Sequence, residues 1–308
     1  MTTNKKETYH IPVMLNECLE GLNIRPDGTY VDVTFGGGGH SRAIYERLNE
    51  KGKLIAFDQD ADALANVWKA PNFYFIPSNF AFLKNQLRAL RISGVDGILG
   101  DLGVSSHQFN VPERGFSIRS DQPLDMRMNR KSEVSAFDVL KDYDEDELIR
   151  IFANYGELKS PRKAAQLICQ AREPRALRTT GELMKVLAVM APKFKENKFF
   201  AQVFQAIRIE VNNEMAVLED FLMQSADVLN PGGRLVVMSY HSLEDRLVKN
   251  FMKRGNLDGT IEKDFYGNII KPFTEIVRKP VTPSPEELED NPRSRSAKLR
   301  IAEKNEGK

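Results

Sequence analysis

The chain has few of the residues that mark exported or metal-holding proteins. Only two cysteines, Cys18 and Cys169, occur among 308 residues. Two thiols so far apart make no disulfide framework, and a reducing, cytoplasmic setting is expected. Nowhere do 18 apolar residues run together, and no apolar stretch follows the polar start Met1 to Glu7, so neither a membrane span nor an export signal is expected. The four histidines, His10, His40, His107 and His241, lack ligand spacing, and no metal is expected. Charge of one sign is missing too: 44 basic and 43 acidic residues leave a net charge of +1, so contact with a polyanion requires a local patch.

What is present is an apolar fraction of 41%, enough for a sizeable core, in a chain long for one domain and short for three. Short β-rich runs alternate with helical periods from Thr29 to Asp101, as in a parallel α/β sheet. Strands are expected at Thr29 to Phe35, Lys53 to Asp58 and Val95 to Asp101, with a weaker one at Asn72 to Pro77. The pattern returns late. A helical stripe from Ile207 to Leu229 stops at Asn230-Pro-Gly-Gly, a strand follows at Arg234 to Tyr240, and Ser242-Leu-Glu-Asp offers a capping box for a helix through Phe251. Two last strands are expected near Phe273 to Val277 and Ala297 to Ala302. Between Val111 and Lys198 no strand is legible. The expected organisation is therefore a discontinuous core of residues 1–110 and 199–308, interrupted by a helical domain at 111–198.

Asp32-Val-Thr-Phe-Gly-Gly-Gly-Gly-His-Ser places four glycines after the first strand and before a helix, where bare backbone can approach a ligand. Asp58 ends the second strand twenty positions beyond Gly38, the distance at which a carboxylate accepts from both hydroxyls of a ribose. Asp60 and Asp62 compete with it as helix caps. A dinucleotide fingerprint starting at Gly36 would need glycine at position 41, where Ser41 stands, and a phosphate loop would need a lysine that Gly39-His40-Ser41 lacks. A nucleoside without a pyrophosphate fits better, with S-adenosyl-L-methionine ahead of a nicotinamide cofactor. Gly103-Val-Ser105-Ser-His lacks the closing glycine of a hydrolase nucleophile elbow.

Together with His10-Ile-Pro-Val-Met-Leu, Asp101-Leu-Gly-Val-Ser-Ser-His-Gln, Arg114-Gly-Phe-Ser, Pro123-Leu-Asp-Met-Arg-Met, Asn154-Tyr-Gly-Glu, Phe204-Gln-Ala-Ile-Arg-Ile, His241-Ser-Leu-Glu-Asp-Arg and Asn291-Pro-Arg-Ser-Arg-Ser-Ala-Lys-Leu-Arg, these residues resemble the RsmH (MraW) family of cytidine N4-methyltransferases of bacterial small-subunit ribosomal RNA. The resemblance spans nearly the whole chain. It implies an α/β, Rossmann-like class I methyltransferase fold with a seven-stranded, mostly parallel sheet and an inserted helical domain. It also implies S-adenosyl-L-methionine as donor and a cytidine in the decoding region of 16S rRNA as acceptor, reached within the small ribosomal subunit. By position, Gly38, Gly39 and His40 would line the donor, Asp58 hold its ribose, Phe80 and Asp101 flank its adenine, and Gln108 complete the pocket. The sequence departs from the family around that glutamine: His107 precedes it, and Phe109-Asn110 stands where Leu-Asp is usual, so a carboxylate is missing at Asn110.

Methyl transfer requires alignment of nucleophile, methyl and leaving sulfur more than a strong base. Acceptors for the amino hydrogens are expected at Asp101 and in the loop Gly103-Val-Ser105-Ser, and His241 is a candidate for taking the released proton. Phosphate contact is expected from Lys159, Arg162, Lys163, Arg172, Arg175 and Arg178 and from the tail Arg293, Arg295, Lys298 and Arg300. Phe116 and Tyr240 are candidates for stacking on a flipped cytosine. A homodimer is left open. The rival readings are a non-catalytic RNA-binding or ribosome-assembly module and a nicotinamide oxidoreductase.

Overall fold

The fold was obtained as a computed structural model that describes residues 12–306; Met1 to Glu7 and the first two residues of the opening motif, His10 and Ile11, lie outside them. Two compact units emerge among the described residues, 12–103 with 216–306, and 104–215.

The first unit begins with α1 (Leu15–Leu22), followed by β1 (Thr29–Asp32), α2 (Gly39–Tyr45), β2 (Lys53–Phe57), β3 (Phe73–Ile76), α3 (Leu83–Ala89) and β4 (Val95–Asp101). β1, β2 and β4 bury most of their residues, as parallel strands covered on both faces do. β3 pairs with β2 alone and keeps its side chains partly exposed, which explains its weaker signal.

The second unit is helical: α4 (Ser106–Asn110), α5 (Ala136–Asp142), α6 (Glu145–Asn154), α7 (Pro161–Arg172), α8 (Thr180–Leu187) and α9 (Glu196–Asn212). Leu148, Ile151 and Phe152 of α6, Ala164, Ala165 and Ile168 of α7 and Val203 and Ile207 of α9 share one apolar core. That shared core explains why the unit boundary falls after Met215 rather than after Lys198. The apolar stripe of α9 packs on the insertion, and Asn213, in the left-handed region at φ 50°, ends the helix. What reads as one long stripe is thus two helices, α9 and α10 (Glu214–Val228).

The first unit resumes within α10 and continues through β5 (Leu229–Ser239), α11 (Ser242–Arg254), β6 (Phe273–Glu275), α12 (Pro285–Asp290) and β7 (Lys298–Lys304). The Asn230-Pro-Gly-Gly segment does not precede the strand but bulges within it: Leu229 pairs with Val95 and pairing resumes at Arg234 with Gly97. The sheet order is β3-β2-β1-β4-β5-β7-β6, parallel from β3 to β5, with β7 antiparallel to both β5 and β6. Chain direction along the sheet reverses between β1 and β4, and ligands of open α/β sheets bind outside the strand ends at such a point. No described helix is long and apolar enough to cross a membrane.

Candidate functional site

The carboxyl ends of β1, β2, β4 and β5 gather an unusual number of acids. Asp32 closes β1 and is 1% exposed. Its Oδ2 accepts from Ser41 Oγ at 2.6 Å and its Oδ1 from the Thr34 N–H at 3.0 Å. Burial pushes its carboxyl above the usual range, and these hydrogen bonds pull it back. Ser41 therefore has a positive role: its hydroxyl satisfies a buried acid where glycine would leave it bare.

Asp58 follows β2. One carboxylate oxygen accepts from the Gly36 N–H at 2.7 Å and the other from the Asp60 N–H at 2.8 Å, tying the glycine turn to the second strand. Asp60, not Asp58, caps the next helical turn, accepting from the Asp62 N–H. Burial pushes the Asp58 carboxyl up to about 6. In the turn itself Gly38 stands at φ 77°, and a Cβ there would meet the Phe35 ring at 2.9 Å. Beside Gly37 nothing lies within 4 Å of a would-be Cβ, so the backbone presents an open face there.

Asp101 ends β4 with its side chain 24% exposed. Its N–H donates to Thr34 Oγ1 at 2.7 Å, and Tyr240 Oη donates to its Oδ1 at 2.7 Å. His40 is nearly buried, Nε2 donating to the Val13 carbonyl at 3.1 Å and Nδ1 lying 3.9 Å from Asp101 Oδ2. Burial raises the Asp101 carboxyl to about 6, His40 and Tyr240 working against it, and Asp32 and Glu244 adding to it. The Tyr240 hydroxyl is raised well above its ordinary value by burial and by Asp101, so it stays a donor. Tyr240, expected as a stacking platform, is also the hydrogen-bond partner of Asp101. Phe80 opens a short turn capped by Asn79 and packs edge-on against Phe221 at 5.4 Å.

Other expected residues are occupied in structural work. His241 is the N-cap of α11: its Nδ1 faces the Glu244 N–H at 3.4 Å and its Nε2 lies 3.2 Å from Glu244 Oε1. The capping box is thus His241 to Glu244, one residue before the expected Ser242 start, because Glu244 Oε2 also accepts from the Tyr240 and His241 N–H groups. Capping accounts for Nδ1, while Nε2 is buried and makes no hydrogen bond. Ser105 and Gln108 belong to the second unit and form a reciprocal capping box on α4, Ser105 Oγ accepting from the Gln108 N–H at 3.2 Å and Gln108 Oε1 from the Ser105 N–H at 3.0 Å. Asn110 is the last residue of α4, and Phe116 is a core residue of the second unit.

The basic stretches divide similarly. Arg300 is 7% exposed and donates Nε to Asp245 Oδ1 at 2.7 Å, with Lys298 at 3.4 Å from the other oxygen, so this half of the tail is structural. Arg293 and Arg295 remain exposed. Replacing Arg300 by Ala should destabilise the fold by about 2 kcal/mol, because Asp245 would lose its closest partner in a poorly hydrated site. Urea unfolding measures this, and unchanged stability would show the pair to be idle. In the second unit Arg172 donates to the Leu140 carbonyl at 2.7 Å, Arg175 pairs with Glu182 and the Arg178 guanidinium lies 5.5 Å over the Phe137 ring; Arg175 and Arg178 are nonetheless exposed, as are Lys159, Arg162 and Lys163.

The contacts of Asp32 with Ser41, of Tyr240 with Asp101 and of Glu244 with the Tyr240 N–H escape a motif reading. The available signal was an acid closing an otherwise apolar buried strand, which demands a partner.

The strand order, the antiparallel seventh strand and the acid-lined glycine turn at the switch point define a Rossmann-like methyltransferase. The chain belongs to the MraW methylase family, whose profile matches residues 7–305. Proteins named ribosomal RNA small subunit methyltransferase H are similar over nearly their full length. That of Parabacteroides distasonis is 56% identical, covering 97% of this chain and 99% of that protein. That of Bacteroides thetaiotaomicron is 54% identical (96% and 98% covered), and that of Flavobacterium johnsoniae 55% (99% and 100%).

Proposed function

We propose that this chain transfers a methyl group from S-adenosyl-L-methionine to the exocyclic N4 of a cytidine in the decoding region of 16S rRNA, in the cytoplasm. The observation that carries the reading is the pair Asp58 and Asp101, at the ends of the strands flanking β1, beside a turn of bare backbone. The residues suit a nucleoside donor. Each Asp58 oxygen has one backbone N–H and retains a lone pair for a ribose hydroxyl, and Gly37 leaves open space beside the turn. The names of the relatives support small-subunit ribosomal RNA as acceptor.

The donor supplies the electrophilic methyl. Gly38, Gly39, His40 and Phe80 are assigned to its binding along with Asp58. A cytosine amino nitrogen is a poor nucleophile because its lone pair is spread into the ring. An acceptor for its hydrogens lets it become pyramidal, and we assign that acceptor to Asp101, oriented by Tyr240 and Thr34. Ser105 and Gln108 enter as supports of the chain following Asp101. The second unit is assigned to binding RNA, through Lys159, Arg162 and Lys163 in the first instance.

Incubation with methyl-labelled S-adenosyl-L-methionine and immature small subunits, then digestion to nucleosides, tests the reading. N4-methylcytidine is expected. Label on carbon 5, or bound RNA without label, would overturn it. Tyr240→Phe should move the acid limb of the pH–rate profile upward, because Asp101 loses a donor that stabilises its ionised form. A limb that stays in place would remove Tyr240 from the mechanism.

A further inference from the structure

One exposed loop of the second unit is shaped against its own backbone preference. Pro192 to Lys195 form a turn closed by the Lys195 N–H donating to the Pro192 carbonyl at 2.9 Å. Its third position, Phe194, stands at φ 64°, the corner where such turns take glycine or asparagine. A phenylalanine there is strained, and its ring gains nothing by packing: it is 86% exposed. Its N–H is held by Glu196 Oε1 at 3.1 Å, and Lys193 Nζ lies 5.3 Å from the ring centre. Lys193, Lys195 and Lys198 are all exposed, and Glu196, the one acid among them, is engaged in holding the turn.

In a chain of net charge +1 this is a local concentration of positive charge around a presented aromatic face. We infer that the turn Pro192 to Lys195 with the first residues of α9, through Lys198, is a docking point for single-stranded RNA, Phe194 stacking on an unpaired base while the three lysines take the neighbouring phosphates. The inference rests on the proposed RNA acceptor and names how the second unit grips it. The charge favours RNA over an apolar pocket of a protein, since a lysine-ringed phenylalanine would carry three cations into such a pocket.

Fluorescence anisotropy of the full chain with a labelled single-stranded RNA, and with the duplex made from it, provides the test. Phe194→Ala and Phe194→Gly should each weaken single-strand binding about ten-fold and leave duplex binding nearly unchanged, whereas Phe194→Tyr should bind as the parent does. Phe194→Gly should melt no lower than the parent, since it relieves the turn; this separates lost stacking from lost folding. Lys193→Gln, Lys195→Gln and Lys198→Gln combined should reduce the salt slope by about 2. Equal loss on single strand and duplex, or no loss with Phe194→Ala and Phe194→Gly, would overturn the inference. In a parallel methylation assay Phe194→Ala should raise KM for small-subunit RNA at unchanged kcat. A parent chain that labels no RNA would count against the proposed function, while the anisotropy results would still decide the loop.

Discussion

Asp101→Asn is expected to lower kcat by about a hundred-fold or more while leaving the chain folded. Asparagine can still accept from Tyr240, but its amide cannot take the amino hydrogen, and a positioned acceptor of this kind contributes roughly 10²–10⁴ in rate. The pH dependence of the parent chain follows from the same carboxyl. Raised to about 6, chiefly by burial, it is protonated below that value, so activity should fall as pH drops through about 6. Asp101→Asn should lose this limb. Stability runs the opposite way. A carboxyl higher in the folded chain than in the unfolded one favours folding at low pH, and that contribution is lost as pH rises through about 6. Asp101→Asn should therefore be the more stable protein at pH 8, by about 2 kcal/mol, and show no such advantage near pH 4. Single-turnover kinetics and urea unfolding at the two pH values measure both effects. A variant that keeps parental kcat, or that is less stable at pH 8, would remove Asp101 from the role assigned to it.

Asp58→Ala should weaken binding of S-adenosyl-L-methionine about a hundred-fold, since two hydrogen bonds to a charged acceptor are lost together. The same change frees the Gly36 and Asp60 N–H groups, so part of the loss comes from a loosened turn. Asp58→Asn divides the two effects: its single carbonyl oxygen preserves one backbone contact but cannot serve two hydroxyls. Calorimetry on folded variants should place Asn between parent and Ala. Parental affinity in Asp58→Ala would sink the ribose assignment.

Much of the site was legible because it is built from local rules. A glycine run after a strand and an acid at the tip of the next strand are readable, since the parallel sheet brings successive strand ends to one edge whatever their contacts. At His241 the sequence was ambiguous, because a histidine before an acidic first turn serves equally as a cap, and only the placement of Glu244 shows the capping contact. The basic tail misled for a related reason: alternate residues of β7 face opposite sides of the sheet, and Arg300 faces inward onto Asp245. The bond from Tyr240 to Asp101 offered no signal, because the partners lie 139 positions apart.

The residues by themselves determined the order of the strands, the glycine turn and the existence of a helical insertion, all of which rest on periodicity and on backbone chemistry acting within a few residues. The tertiary structure decided where the insertion ends, which cations stay exposed, and which hydroxyls and acids are hydrogen-bonded around Asp101. Those outcomes depend on which distant side chains compete for the same buried partner, and no short-range pattern records that competition.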